Sequence, residues 1–146
     1  MDIVVAGTQR ELERCLAVRH AVFTVERKVP REIEVDEQDC LGSACEHFLI
    51  LESGAEVGAL RCMRADLNKV KIQRFCILAD YRGMGYARRA LAFVEEYYRS
   101  AGKTEIELDS KLEACGFYDK CGYTRVSDPF EEAGIPHIKM IKCLRL

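Results

Sequence analysis

The sequence has no C-x-x-C pair. Its eight cysteines, at 15, 40, 45, 62, 76, 115, 121 and 143, and its three histidines, at 20, 47 and 137, are scattered, so neither a zinc framework nor a redox dithiol is spelled out. It has no apolar run of about 18 residues, the length a membrane helix needs. The opening MDIVVAGTQRELERC shows neither a basic start nor a cleavable apolar core, so no secretory leader and no membrane association are expected. A cytoplasmic protein with free thiols is the expectation, because disulfides persist in oxidising compartments. The formal charge of −2 supplies no overall positive field, and general nucleic-acid binding is not expected. Internal repeats and low-complexity segments are absent too.

What is present is ordinary globular usage, 49% apolar and 32% charged over 146 residues, enough chain for one domain spanning residues 1–146 around a single core. The pattern reads as a strand at 2–6, then a helix capped by Thr8 with Glu11 completing a capping box. Residues 20–44 read as a short helix and a long, charged loop. Strands follow at 46–53 and 55–65 around Ser53-Gly54, and a third after Asn68-Lys69. Ala87, Ala90, Leu91, Val94 and Tyr98 repeat at helical spacing, with Gly102 as the stop. A strand at 104–109, a short helix ending at Gly122, a strand at 123–126, a loop at 127–136 and a strand at 137–144 complete an α/β domain with a mixed, mostly antiparallel sheet.

Two local features point to chemistry. In KVKIQRFCIL, Val70 and Ile72 share one parity while Phe75 and Ile77 take the other. One extra residue near Gln73 or Arg74, a β-bulge, restores a single apolar face and leaves backbone groups unpaired. The alternative is a strand buried on both faces with no phase. The second feature is LADYRGMGYARRAL, residues 78–91, where Gly83 and Gly85 sit between that strand and a helix. A helix N-terminus offers orphan N–H groups and a partial positive charge to phosphate, and glycine lets the phosphate approach. The P-loop is absent, and the dinucleotide fingerprint G-x-G-x-x-G fails at Arg88. A bare G-x-G also fits a tight turn that enters a helix.

The segment Arg82-Gly83-Met84-Gly85-Tyr86-Ala87 resembles the R/Q-x-x-G-x-G/A motif of the GNAT superfamily of acyl-CoA-dependent N-acetyltransferases. VRHAVFTVERKVPREIEVDEQD at 18–39, EH at 46 and 47, GFYDKCGYTRV at 116–126 and FEEAGIPHIKM at 130–140 extend the resemblance to its ElaA/YjcF-like branch. It implies the GNAT fold: a mostly antiparallel sheet of about seven strands, about four helices, and central strands splayed at the bulge. It implies acetyl-CoA as cosubstrate, with no metal, and an amine of a small molecule or peptide as its partner. Relatives often dimerise, so a homodimer is carried as an expectation.

The same resemblance gives roles. Backbone groups of Phe75 and Ile77, flanking Cys76, would orient the thioester and pantetheine arm. Amides of Gly83, Met84, Gly85, Tyr86 and Ala87 would hold the diphosphate, with charge from Arg82 and Arg88. Tyr118 matches the tyrosine that protonates the leaving sulfur, and a phenol is protonated at neutral pH. Glu26, His47 and His137 are the candidate bases, each in a matching segment. His47, Arg61 and Arg74 are placed toward the substrate, and the arginines suit a carboxylate or phosphate on it. Cys76 could form an acyl-cysteine, although direct attack in a ternary complex is the family's route. The rival reading is a domain of the same fold that binds acyl-CoA or a protein partner without turning over.

Overall fold

Local chemistry sets the first elements as the sequence suggests. In this computed structural model, which describes residues 1–144, β1 (Asp2–Val5) leads to Thr8, whose Oγ1 accepts from the Glu11 amide at 3.2 Å while Glu11 Oε1 accepts from the Thr8 amide at 3.2 Å. This capping box starts α1 (Gln9–Arg19). The helix does not stop at His20. It widens directly into a π-helical segment, His20–Glu26, and a single turn follows at α2 (Arg31–Glu34). Such widened turns are uncommon and concentrate at functional sites.

β2 (Cys45–Glu52) and β3 (Ala55–Arg64) form a hairpin in which Glu52 pairs with Ala55. Ser53 and Gly54, at φ of 51° and 82°, supply the two left-handed residues of that turn. Then come β4 (Lys69–Ile77), a short 3₁₀ turn (Ala79–Tyr81), α3 (Tyr86–Ser100), β5 (Glu105–Lys111), a second 3₁₀ turn (Leu112–Ala114), α4 (Cys115–Lys120) and β6 (Thr124–Arg125). Residues 127–136, expected to be a loop, instead contain β7 (Phe130–Glu132), paired with β8 (Ile135–Cys143). The turn between them puts Ala133 at φ 52° beside Gly134. Alanine rarely takes that conformation, which is why the sequence carries no hairpin signal there.

The sheet therefore has eight strands, in the order β1-β2-β3-β4-β5-β8-β6 with β7 also on β8. The pairing of β4 with β5 is parallel and the rest are antiparallel. One face packs α3 in the main core, around Phe48, Leu60, Val70, Ile72, Leu91, Val94, Ile106 and Met140. The other packs α1 and the π-helical segment through Cys15, Val18, Val22, Leu49, Ala59 and Cys76. Among the described residues no helix is long and apolar enough to cross a membrane.

The bulge is where parity placed it. Ala59 faces Cys76 and Arg61 faces Gln73, so Leu60 stands opposite two residues, Arg74 and Phe75. Arg74 absorbs the extra length at φ 55°. Val70, Ile72, Phe75 and Ile77 consequently all reach the α3 core, while Cys76 reaches the other. β4 and β5 pair only from Lys69–Ile72 against Glu105–Leu108. Beyond that β4 follows β3 and β5 follows β8, and the two strands part.

Candidate active site

The parted strand turns backbone away from its sheet partner. Leu78 donates its amide to the Val57 carbonyl at 2.8 Å, so Ile77, opposite Gly58, occupies a position whose own N–H and C=O point away from β3. They point to the side that β5 has left. A 3₁₀ turn then delivers the chain to Gly83 and Gly85, at φ of 75° and 84°. Gly85 caps α3 without any side-chain hydrogen bond.

Among the described residues the amides of residues 83–88 donate to no protein acceptor, and the first bond back is from Arg89 to the Gly85 carbonyl at 3.1 Å. A Cβ on Gly83 or Gly85 would meet nothing within 4 Å. Tyr86 points its ring inward and donates its hydroxyl to Glu52 at 3.1 Å, so only its amide faces the loop. Met84 is exposed on the loop, and so is Arg88 on the first turn of α3. A groove of about 250 Å³ results, lined by Ile77, Tyr81, Arg82, Gly83, Gly85, Ala87 and Phe117. Bare amides at the positive end of a 15-residue helix can hold a polyphosphate.

Arg82 is committed on three sides. Its Nε donates to the Ile77 carbonyl at 2.9 Å, and Nη1 and Nη2 donate to the two carboxylate oxygens of Glu26 at 2.6 and 2.7 Å. Those bonds hold the Glu26 carboxyl below its usual range, so here it is a weak proton acceptor.

On the α1 face a charge network lies behind the bulge. Arg19, 1% exposed, donates to Glu34 at 3.0 Å and to both oxygens of Asp39 at 2.7 and 3.0 Å. Arg61 donates to Asp36 at 2.7 and 2.8 Å, to Asp39 at 2.9 Å and to Gln73 at 2.9 Å. Arg74 donates to the Glu34 carbonyl at 3.1 Å and lies 3.6 Å from Asp36. His47 is buried, its Nε2 3.1 Å from the Gln38 carbonyl and its Nδ1 without a hydrogen bond among the described residues, 3.9 Å from Asp39 Oδ1. The segment EVDEQD is thus stitched to the sheet. In sequence it is indistinguishable from a solvated acidic loop, so Arg19, Glu34, Asp36 and Asp39 escaped notice as a unit. Arg61 has its donors taken. Arg74 is the outermost of the three arginines and is partly exposed.

This network makes a pH prediction. Burial opposes the Asp39 charge, but hydrogen bonds from Arg19 and from the Asp36 amide, with the charges of Arg19 and Arg61, hold the carboxyl well below its usual range. Asp36 is lowered chiefly by its hydrogen bonds from Arg61. A depressed carboxylate contributes stability that is present above the unfolded value, about 4, and disappears as pH falls through the folded one. Melting temperature should hold from about pH 7 to about pH 5 and fall steadily below that. A profile flat to about pH 2 would show that these pairs contribute nothing.

The candidate acid and bases are spread out. Tyr118 on α4 packs its ring against Phe117, at 5.1 Å, and Tyr123, at 5.7 Å. Its hydroxyl has no hydrogen-bond partner among the described residues, and burial raises its pKa above the ordinary phenol value. Glu95 anchors this end, accepting from Tyr123 at 3.0 Å and from Lys142 at 2.8 Å, while Lys142 also bonds the Cys121 carbonyl at 2.8 Å. His137 is the third residue of β8, between Lys111 of β5 and Phe130 of β7. Its Nδ1 donates to the Ile135 carbonyl at 2.7 Å, and its Nε2 lies 3.7 Å from Glu132 Oε2. Cys76 turns its thiol into the smaller core, where burial pushes it up to about 12. A buried thiol of that kind is not a nucleophile at neutral pH.

Gly58 was not singled out from sequence. A Cβ there would lie 2.5 Å from the Cys76 carbonyl oxygen and 2.7 Å from Ile77 Cδ1. The signal was available, since a lone glycine inside a strand marks close backbone approach.

Residues 18–144 match the acetyltransferase (GNAT) domain family. YjcF of Bacillus subtilis, an uncharacterized N-acetyltransferase, is 33% identical over 97% of this chain and 99% of its own. A candidate N-acetyltransferase of Lactobacillus plantarum superposes with a TM-score of 0.92 at 30% identity, covering 99% of this chain and 98% of its own. ElaA of Escherichia coli superposes with a TM-score of 0.82 at 25% identity, covering 97% of each chain. An aminoglycoside 6'-N-acetyltransferase solved with coenzyme A shares the fold, with a TM-score of 0.80 at 13% identity over 100% of this chain and 98% of its own. With its splayed strands and open glycine loop in the same frame, this chain belongs to the GNAT family of acetyltransferases.

Proposed function

We propose that the protein, as one domain over residues 1–146, is a cytoplasmic acetyl-CoA-dependent N-acetyltransferase acting on the primary amine of a small molecule or peptide. The observation that carries this reading is the row of unpartnered amides at 83–88 beside a strand end whose Ile77 backbone faces an opening. The aminoglycoside enzyme of the same fold was solved with coenzyme A, and the residues here suit that ligand. Amides from Gly83 to Arg88 would take the diphosphate, with Arg82 and Arg88 adding charge. Backbone groups of Phe75 and Ile77 would take the pantetheine arm. The cosubstrate supplies an activated thioester and a sulfur leaving group.

The remaining chemistry falls to the chain. Amide formation needs the acceptor amine neutral and the departing sulfur protonated. His137, whose Nε2 makes no hydrogen bond among the described residues and lies 3.7 Å from Glu132, would serve the first task, whereas Glu26 is bound by Arg82 and His47 is buried against Gln38. Tyr118 keeps its proton at neutral pH and has an unengaged hydroxyl for the second. Direct attack in a ternary complex agrees with the buried thiol of Cys76.

The test is release of free coenzyme A from acetyl-CoA on addition of amino sugars, polyamines or peptide N-termini. Release with at least one amine class supports the reading, and binding without release on a broad panel refutes turnover. With an accepted amine, Tyr118→Phe should lower kcat by about 100-fold, the low end for a lost proton donor, with the acetyl-CoA Kd unchanged. Unchanged kcat would remove Tyr118 from the mechanism.

A further inference from the structure

We propose that Glu26 is a positioning residue for the cofactor strand: acting through Arg82, it keeps the Ile77 carbonyl occupied until the cofactor displaces it. This rests on reading the groove as the acyl-CoA site. Glu26 ends the π-helical segment, 56 residues from Arg82 in sequence and on the α1 side of the sheet. The guanidinium is planar, and its three donor groups are all used. Nη1 and Nη2 meet the two Glu26 oxygens end-on, and that orientation aims Nε at the Ile77 oxygen 2.9 Å away.

That oxygen points away from β3 into the groove, where a pantetheine amide would donate to it. Arg82 also lines the groove beside Gly83 and Gly85, so both parts of the cofactor would compete with contacts already made. Two phosphates and a row of helix amides outweigh one carboxylate, so binding draws Arg82 away from Glu26 and Ile77 together. Glu26 would then be left as a free, exposed carboxylate.

Pantetheine, which carries no phosphate and no charge, separates this role from simple charge repulsion. Glu26→Gln should bind pantetheine about fivefold tighter than wild type, the scale of an exposed but bidentate ion pair. Arg82→Lys, which keeps the charge but lacks the fork, should tighten pantetheine in the same direction. If one variant fails to fold, the other decides. Unchanged or weaker pantetheine binding in the folded variants, with wild-type binding of coenzyme A intact, overturns the proposal and assigns the pair a bracing role only. Failure of the wild type to bind coenzyme A would instead overturn the reading of the groove.

Discussion

Gly85→Asp should reduce coenzyme A affinity by at least about 100-fold while the protein stays folded. The backbone at Gly85 has φ 84° and ψ 5°, a left-handed conformation that aspartate tolerates better than most residues, at a cost of about 1 kcal/mol. Its Cβ would enter open space, so nothing in the protein is displaced. The carboxylate would do two things at once. It would cap the free amides of the first turn of α3, as aspartate does at helix starts, and it would put negative charge where the diphosphate belongs. The cap offsets part of the backbone strain, so the melting temperature should move by only a few degrees. Gly85→Ala, which adds the Cβ without the charge, should lose only about tenfold in affinity. Calorimetric titration with coenzyme A beside thermal melts reads both quantities. Equal affinity for wild type and the aspartate variant would take the loop out of the cofactor site.

Gly58→Ala should be the most damaging single methyl in the molecule. The added carbon would sit 2.5 Å from a backbone oxygen and 2.7 Å from Ile77 Cδ1, with Ile50 Cδ1 at 3.2 Å. A side chain could rotate aside, but the Cys76 carbonyl cannot, because Cys76 is paired with Ala59 in the sheet. β4 must therefore shift at the residues that turn their backbone toward the groove. Overpacking of this kind costs about 2–3 kcal/mol, which in a chain this size lowers the melting temperature by about 5–10 °C. Coenzyme A affinity should fall with it, since Ile77 moves. Gly54→Ala is the control: its Cβ meets nothing within 4 Å, and only the cost of a positive φ remains. If Gly58→Ala melts within about 2 °C of wild type, the strand has slack that this packing denies.

Much of the frame was legible because its rules are local. Thr8 and Glu11 announce a helix start through side chains that reach three residues. The parity slip between Ile72 and Phe75 announces a bulge, because a strand has period two and one face must be dry. Gly83 and Gly85 announce a loop that side chains would obstruct. The misses share a cause of another kind. A short helix was legible after residue 20, but not its widening into a π-helix at 20–26, and β7 depends on a turn with Ala133 at positive φ and on pairing with β8. Neither leaves a periodic trace.

The charged residues divide the problem most clearly. By itself the sequence determined where most of the strands and helices form, that β4 carries one residue too many, and that a bare, glycine-lined helix start follows it. Those are properties of neighbours along the chain. Only the tertiary structure decided that Glu26 grips Arg82, that Arg61 is spent on Asp36 and Asp39, and that Gly58 is small because β4 lies against it. Each of those pairs joins residues 18 to 56 positions apart, and a charge or a gap in sequence does not name its partner until sheet register and layer bring the two together.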